Sequence, residues 1–234
     1  MIAENLKIVR EKISEKCKNV GRNSSEIKLI AVSKNFGLKD IQTAFDEGVR
    51  DFGENKAQEL DAKFVKLGDK ITWHFIGNLQ RNKVRFVVNS AEYIHSVDSL
   101  LLASEINKYA GKINKVQKVL LQVKTSDEAA KSGIAAESEV KDIAFYCKEF
   151  HNIELVGLMT IAPFTEDKEL VRRSFSTLRK IKNKLNSDGL NLKELSMGMT
   201  SDFEIAIEEG ATMLRIGSAI FGERDYSKDW KEKL

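Results

Sequence analysis

The chain has 234 residues, 42% of them hydrophobic, which is enough for one large α/β domain and too apolar for a disordered or fibrous protein. Its 38 basic and 35 acidic side chains leave a net charge of +3, a mixed solvated surface rather than the one-sided field of a nucleic-acid binder. Two cysteines without CxxC spacing, Cys17 and Cys147, argue against a disulfide framework or a metal site; with no signal-peptide stretch and no run of about 18 apolar residues, they predict a cytoplasmic protein that does not enter a membrane.

Ile2, Leu6, Val9, Ile13 and Cys17 recur at helical spacing, so the chain opens with an amphipathic helix. The run IKLIAVSK (27–34) is short, almost continuously apolar and β-branched, as expected of a strand covered on both faces. GLKDIQTAFDEG follows as a helix, with Leu38, Ile41 and Phe45 on one face and Gly48 at its stop. Further strands are predicted at 50–54, 72–77, 93–97, 117–124, 154–161, 193–197 and 212–217. Helical patterns separate them: a short one over 82–89, then Val140, Ile143, Ala144 and Cys147, then Val171, Phe175, Leu178 and Leu185, then Phe203, Ala206 and Ile207. No Pro/Ser-rich linker divides the chain, whose one proline is Pro163, so residues 1–234 are read as one domain. Eight βα units predict an α/β fold, a single TIM-type (β/α)8 barrel with an extra N-terminal helix. An open doubly wound sheet is the rival, because local pattern does not report closure.

Such barrels work at the carboxyl ends of their strands, which directs attention to Lys34, Asn55, His74, Gly77, Met159, Ser196–Thr200 and Arg215–Ser218. Lys34 comes directly off an apolar strand, where desolvation favours the neutral amine that forms a Schiff base with an aldehyde. The plainer alternative is a strand-end lysine reaching solvent. SMGMTSD (196–202) and RIGSAIFG (215–222) place Ser196 and Gly198 after strand seven, and Gly217 and Ser218 after strand eight. Glycines and helix-start N–H groups there suit a phosphate, although turn glycines and an N-cap serine would look the same. A reactive lysine with a phosphate cradle points to a phosphorylated aldehyde. The residues leave pyridoxal 5′-phosphate (PLP) and a sugar-phosphate Schiff-base aldolase both open.

Seven ordered blocks resolve the choice: AVSK (31–34), FGEN with Gln58 and Glu59 (52–59), WHFIGNLQRNK (73–83), KSGI (131–134), GLMTIAP (157–163), SMGMTSDFE with Ala206 and Ile207, and RIGSAIFGERDY (215–226). They span almost the whole chain and resemble the YggS/PROSC family of PLP homeostasis proteins, whose fold is similar to the N-terminal barrel of alanine racemase. The resemblance implies that Lys34 forms the internal aldimine with PLP and that Asn55 lies near the cofactor ring. It places Ser196, with its adjoining backbone, and Gly217 with Ser218 at the phosphate, and Arg215 against the pyridine nitrogen. Met159 and His74 are further candidates, His74 being equally suited to a packed, hydrogen-bonded role. A guanidinium keeps its proton, so the ring would be a weak electron sink that still permits transimination.

One departure is Gly37 in NFGLKD, where the family often carries a proline; it is expected to loosen the loop beside Lys34. Alanine racemase-like enzymes add a β-domain and a catalytic tyrosine, whereas the residues after Gly217 suffice for a helix and a tail, with Tyr226 read as a solvated tail residue. The expected role is therefore PLP homeostasis or carriage rather than catalysis, with a PLP-dependent amino-acid racemase as the alternative and PLP-dependent apo-enzymes as candidate partners. Arg81, Lys83 and Arg85 read as a solvated helix face rather than a nucleic-acid site. Monomer and dimer both remain open.

Overall fold

Short apolar runs with no polar face must be covered on both sides. In the computed structural model, which describes residues 1–126, 132–223 and 229–234, that cover is a helical layer outside and a filled barrel inside. The strands are β1 (Lys28–Val32), β2 (Asp51–Glu54), β3 (Thr72–Phe75), β4 (Tyr93–Val97), β5 (Gln117–Gln122), β6 (Ile153–Met159), β7 (Glu194–Ser196) and β8 (Met213–Ile216). All are parallel and pair in sequence order, and β1 closes on β8 with Ile30 opposite Arg215. Closure removes the open-sheet rival. Each strand lies where the sequence places it; β4 has the expected bounds, β6 begins one residue early at Ile153, and the others are shortened at one or both ends. On β1 the ladder stops at Val32, and residues 33 and 34 continue past it toward the barrel mouth.

The helices are α1 (Ile2–Asn19), α2 (Leu38–Asp46), α3 (Ala57–Leu67), α4 (Val84–Ser90), α5 (Leu100–Lys112), α6 (Glu137–Lys148), α7 (Lys168–Ser187), α8 (Phe203–Glu208) and α9 (Ser218–Phe221). α1 buries Leu6, Val9, Ile13 and Cys17 and packs on α2, α8 and α9, covering the seam where the last unit meets the first. The helix expected over 82–89 is α4, entered through a 3-10 turn at Arg81–Lys83, with Val84, Val87 and Val88 buried. Arg81 and Arg85 face solvent. A 3-10 turn at Trp230–Lys233 follows α9, while Tyr226 and Lys131 lie outside the described residues.

Alternation along the strands sorts side chains between two environments. Outward residues such as Phe52, Trp73, Ile94, Leu121 and Leu214 join the helices in the main core. Inward, Ile30, Leu120, Met159 and Met213 form a separate apolar layer inside the barrel. Their volume is what makes the interior a floor rather than a pore. Leu120→Ala should cost about 3 kcal/mol of unfolding free energy through lost burial and a residual cavity. Chemical denaturation checks this, with the denaturant slope unchanged.

Candidate functional site

Inward parity on β1 runs Lys28, Ile30, Val32 and, past the end of the strand, Lys34. On β2 it runs Asp51, Gly53 and Asn55; on β8, Met213, Arg215 and Gly217. These series end at one cavity of about 610 Å3 at the carboxyl ends of the strands, lined by Lys34, Asn55, Arg215, Gly217 and Ser218 among others. Five of the eight expected residues therefore share a wall. Asn55 Oδ1 is buried and has no hydrogen-bond partner among the described residues. Arg215 is 4% exposed, and burial lowers its pKa to about 10, against a smaller raising effect of Asp202. It stays a cation at neutral pH. Its Nη2 donates to Thr160 O at 2.9 Å and its Nη1 to Ser196 Oγ at 2.6 Å.

The other three expected residues stand behind that wall. Ser196 is fully buried, its hydroxyl shared between Arg215 and His95 Nδ1 at 2.8 Å. Met159 is fully buried in the apolar floor. Gly198, at φ +94°, lets the chain turn against α8, where a Cβ would come 2.6 Å from that of Ala206; its carbonyl accepts from Arg215 N at 3.0 Å. Ser218 Oγ donates to Thr200 Oγ1 at 3.3 Å across the β7 and β8 loops. His74 is buried below the cavity and fully hydrogen-bonded, the packed role that the sequence allowed.

The outer wall behind Lys34 holds a group that sequence reasoning missed. Lys63 of α3, with no exposed surface, donates from Nζ to Glu54 Oε1 at 2.7 Å, Glu59 Oε1 at 2.8 Å and Ser33 O at 2.9 Å. Ser33 Oγ donates to Glu54 at 2.7 Å, and Asn35 N donates to Glu59 at 2.7 Å. Both neighbours of Lys34 are thus tied to one buried cluster. Asn35 adopts a left-handed φ of 65°, and its carbonyl accepts from Lys233 Nζ at 3.0 Å. Gly37, expected from the sequence to loosen this loop, lies against the C-terminal turn. A Cβ at 37 would lie 2.8 Å from Lys233 O, so the missing side chain is what lets the C-terminal turn press on the loop. The signal was present in the sequence: Glu54 has outward parity, and Glu59 and Lys63 share a helix face at i, i+4.

The sequence model of the family described as "Alanine racemase, N-terminal domain" matches residues 4–225 of this chain, a stretch that spans the closed parallel barrel. A pyridoxal phosphate homeostasis protein of Aquifex aeolicus is 42% identical over 225 residues, covering 95% of this chain and 98% of that one. PipY of Synechococcus elongatus, solved with PLP bound, superposes with a TM-score of 0.84 at 35% identity, covering 95% of this chain and all of PipY. The chain belongs to the family of pyridoxal phosphate homeostasis proteins. Alanine racemase of Clostridium difficile shares the fold, with a TM-score of 0.78 at 18% identity; 99% of this chain matches 60% of that one.

Two carboxylates and one ammonium buried together leave one charge unbalanced, and Glu54 carries the consequence. Burial raises its pKa to about 7, against the lowering effect of Lys63, and Glu54 Oε2 has no partner among the described residues. A carboxyl group whose folded pKa is raised binds its proton more tightly folded than unfolded. The stability it contributes is complete below the unfolded value and is lost as pH rises through about 7. Glu54→Gln should therefore flatten the stability profile between about pH 5 and pH 8, by on the order of 2 kcal/mol relative to the parent. Urea unfolding of both proteins across that range checks it; parallel profiles would leave Glu54 ionised throughout.

Proposed function

We propose that this protein holds PLP in the cavity at the carboxyl ends of its strands, attached through the Lys34 amine, and serves PLP homeostasis inside the cell as a carrier rather than an enzyme. The observation that carries this reading is the convergence of Lys34, Asn55 and Arg215 on one wall, with Gly217 and Ser218 beside them. Those residues fit the group: an amine for its aldehyde, and a buried Asn55 oxygen without a partner among the described residues. A fixed guanidinium suits its ring nitrogen, and the Gly217–Ser218 backbone its phosphate. The name of the Aquifex relative and the PLP held by PipY support the same assignment.

When bound, PLP supplies an aldehyde that links reversibly to amines and a ring that draws electrons from the attached carbon. What this chain adds is Arg215, which holds its own proton at neutral pH and so does not pass one to the ring. Placed against the ring nitrogen, Arg215 would leave it without a proton and so would suit holding and exchanging amines better than chemistry at the amino-acid carbon. Ser33 and Asn35 keep the backbone on either side of Lys34 in place while its side chain reaches the cavity.

Purified protein incubated with PLP should turn yellow, and borohydride should fix a pyridoxyl group on Lys34, found by peptide mass spectrometry. Lys34→Ala should lose both the visible band and the label. A protein that stays colourless and unlabelled would sink the cofactor assignment and favour the aldolase chemistry. Loaded protein mixed with L-alanine should form no D-alanine at enzyme-like rates; turnover would overturn the carrier half of the reading and leave the binding half standing.

A further inference from the structure

Four hydrogen bonds run through the barrel interior from one mouth toward the other. Asp51, the first residue of β2, has 22% of its side chain exposed and lines a second cavity at the N-terminal mouth, with Lys28, Tyr93 and Lys118. His74 Nε2 lies 2.9 Å from Asp51 Oδ1, and His74 Nδ1 lies 2.9 Å from His95 Nε2. His95 Nδ1 is 2.8 Å from Ser196 Oγ, which accepts from Arg215 Nη1 at 2.6 Å. Both imidazoles are fully buried, and the column passes from β2 through β3 and β4 across to β7 and β8.

The proton positions follow from elimination. An ionised carboxylate only accepts, so His74 Nε2 must carry a proton and donate to Asp51. A neutral His74 then accepts at Nδ1, which requires His95 to donate from Nε2 and, being neutral too, to accept at Nδ1. Ser196 must therefore give its hydroxyl proton to His95, leaving its lone pairs to Arg215. Both histidines have lowered pKa values, chiefly through desolvation; the charge of Arg215 adds to this at His95. The reversed direction would set a bare ring nitrogen against the Asp51 oxygen and point the Ser196 hydroxyl at no partner. Tyr93 stacks on His74 at 4.6 Å and seals the lower end.

We infer that Asp51, His74, His95 and Ser196 are positioning residues for Arg215, forming a one-way hydrogen-bond column that extends the pull of a carboxylate at the N-terminal mouth to the guanidinium at the cofactor pocket. Each donor in such a column strengthens the next acceptor, so Ser196 becomes a better partner for Arg215 than an isolated hydroxyl. The guanidinium is thereby held in one orientation and keeps its proton. The inference rests on the proposed place of Arg215 at the PLP ring, and its test separates the two.

Nitrogen-15 spectra of the apo-protein should show His74 and His95 each as a single neutral tautomer, protonated at Nε2. With His151 the only other histidine, assignment is direct. A cationic His95, or a proton on His95 Nδ1, would overturn the column. Asp51→Asn alters a residue at the far mouth, partly in solvent, and should mix the His74 tautomers. It should also displace the visible maximum of bound PLP in the same direction as Ser196→Ala. Ser196→Ala should weaken PLP binding about ten-fold, the loss of one hydrogen bond to a charged group. Ser196→Thr, which keeps the hydroxyl, should retain the parental band, a readout that stands even where the alanine variant folds poorly. Unchanged bands and tautomers in both Asp51→Asn and Ser196→Ala would reduce the column to packing. If the parent protein takes up no PLP, the ring assignment fails, while the nitrogen spectra still decide the column.

Discussion

A closed parallel barrel gives each strand residue only two surroundings, because successive side chains turn alternately into the barrel and out toward the helices. That alternation governs this protein more than any single contact. It sends Leu29, Ala31 and Ser33 outward from β1 and keeps Ile30, Val32 and Lys34 on the inner side, so the lysine reaches the cavity by register. The same rule turns Arg215 inward and Leu214 outward on β8, and Asp51 inward and Phe52 outward on β2. A one-residue slip on any of these strands would exchange a functional group for a core side chain.

Two charged systems result, on opposite sides of one wall. The outer one, Glu54, Glu59 and Lys63, is poorly placed to stabilise the fold, since desolvating three ions offsets most of their mutual attraction. Its contacts are nevertheless specific: they end on the hydroxyl and carbonyl of Ser33 and the N–H of Asn35. Asn35 sits at a left-handed φ that costs an asparagine about 1 kcal/mol. A hydrogen bond from its N–H to a carboxylate contributes about 1.5–3 kcal/mol. The cluster thus holds a backbone bend the chain would not choose, and Lys34 sits at that bend.

How much of this could be read from the chain depends on range. The eight strands, α1 and the strand-end places of Lys34, Asn55 and Arg215 were legible because they follow from short apolar runs, helical spacing and the order of elements. Closure was not, because a residue pattern carries no information on whether β8 meets β1. Ser196 and Met159 were legible as strand-end residues but not by depth; which layer they occupy depends on the relative stagger of neighbouring strands. His95 was hidden for another reason. One histidine in YIHSV acquires meaning only beside His74 and Ser196, residues 21 and 101 positions away.

The ionisable groups outside the cavity define its surroundings as much as those that line it. Among the described residues, its titratable lining consists of Lys34, Lys124 and Arg215, together with hydroxyls and amides. A general acid or base works best when its pKa lies near the ambient pH. This molecule has such a group in Glu54, at about 7, but Glu54 faces the helices on the far side of the wall. Its two buried histidines point at each other below the floor, with pKa values moved away from neutrality by burial. The arrangement therefore directs its ionisable residues to fixing the backbone on either side of Lys34 and the side chain of Arg215.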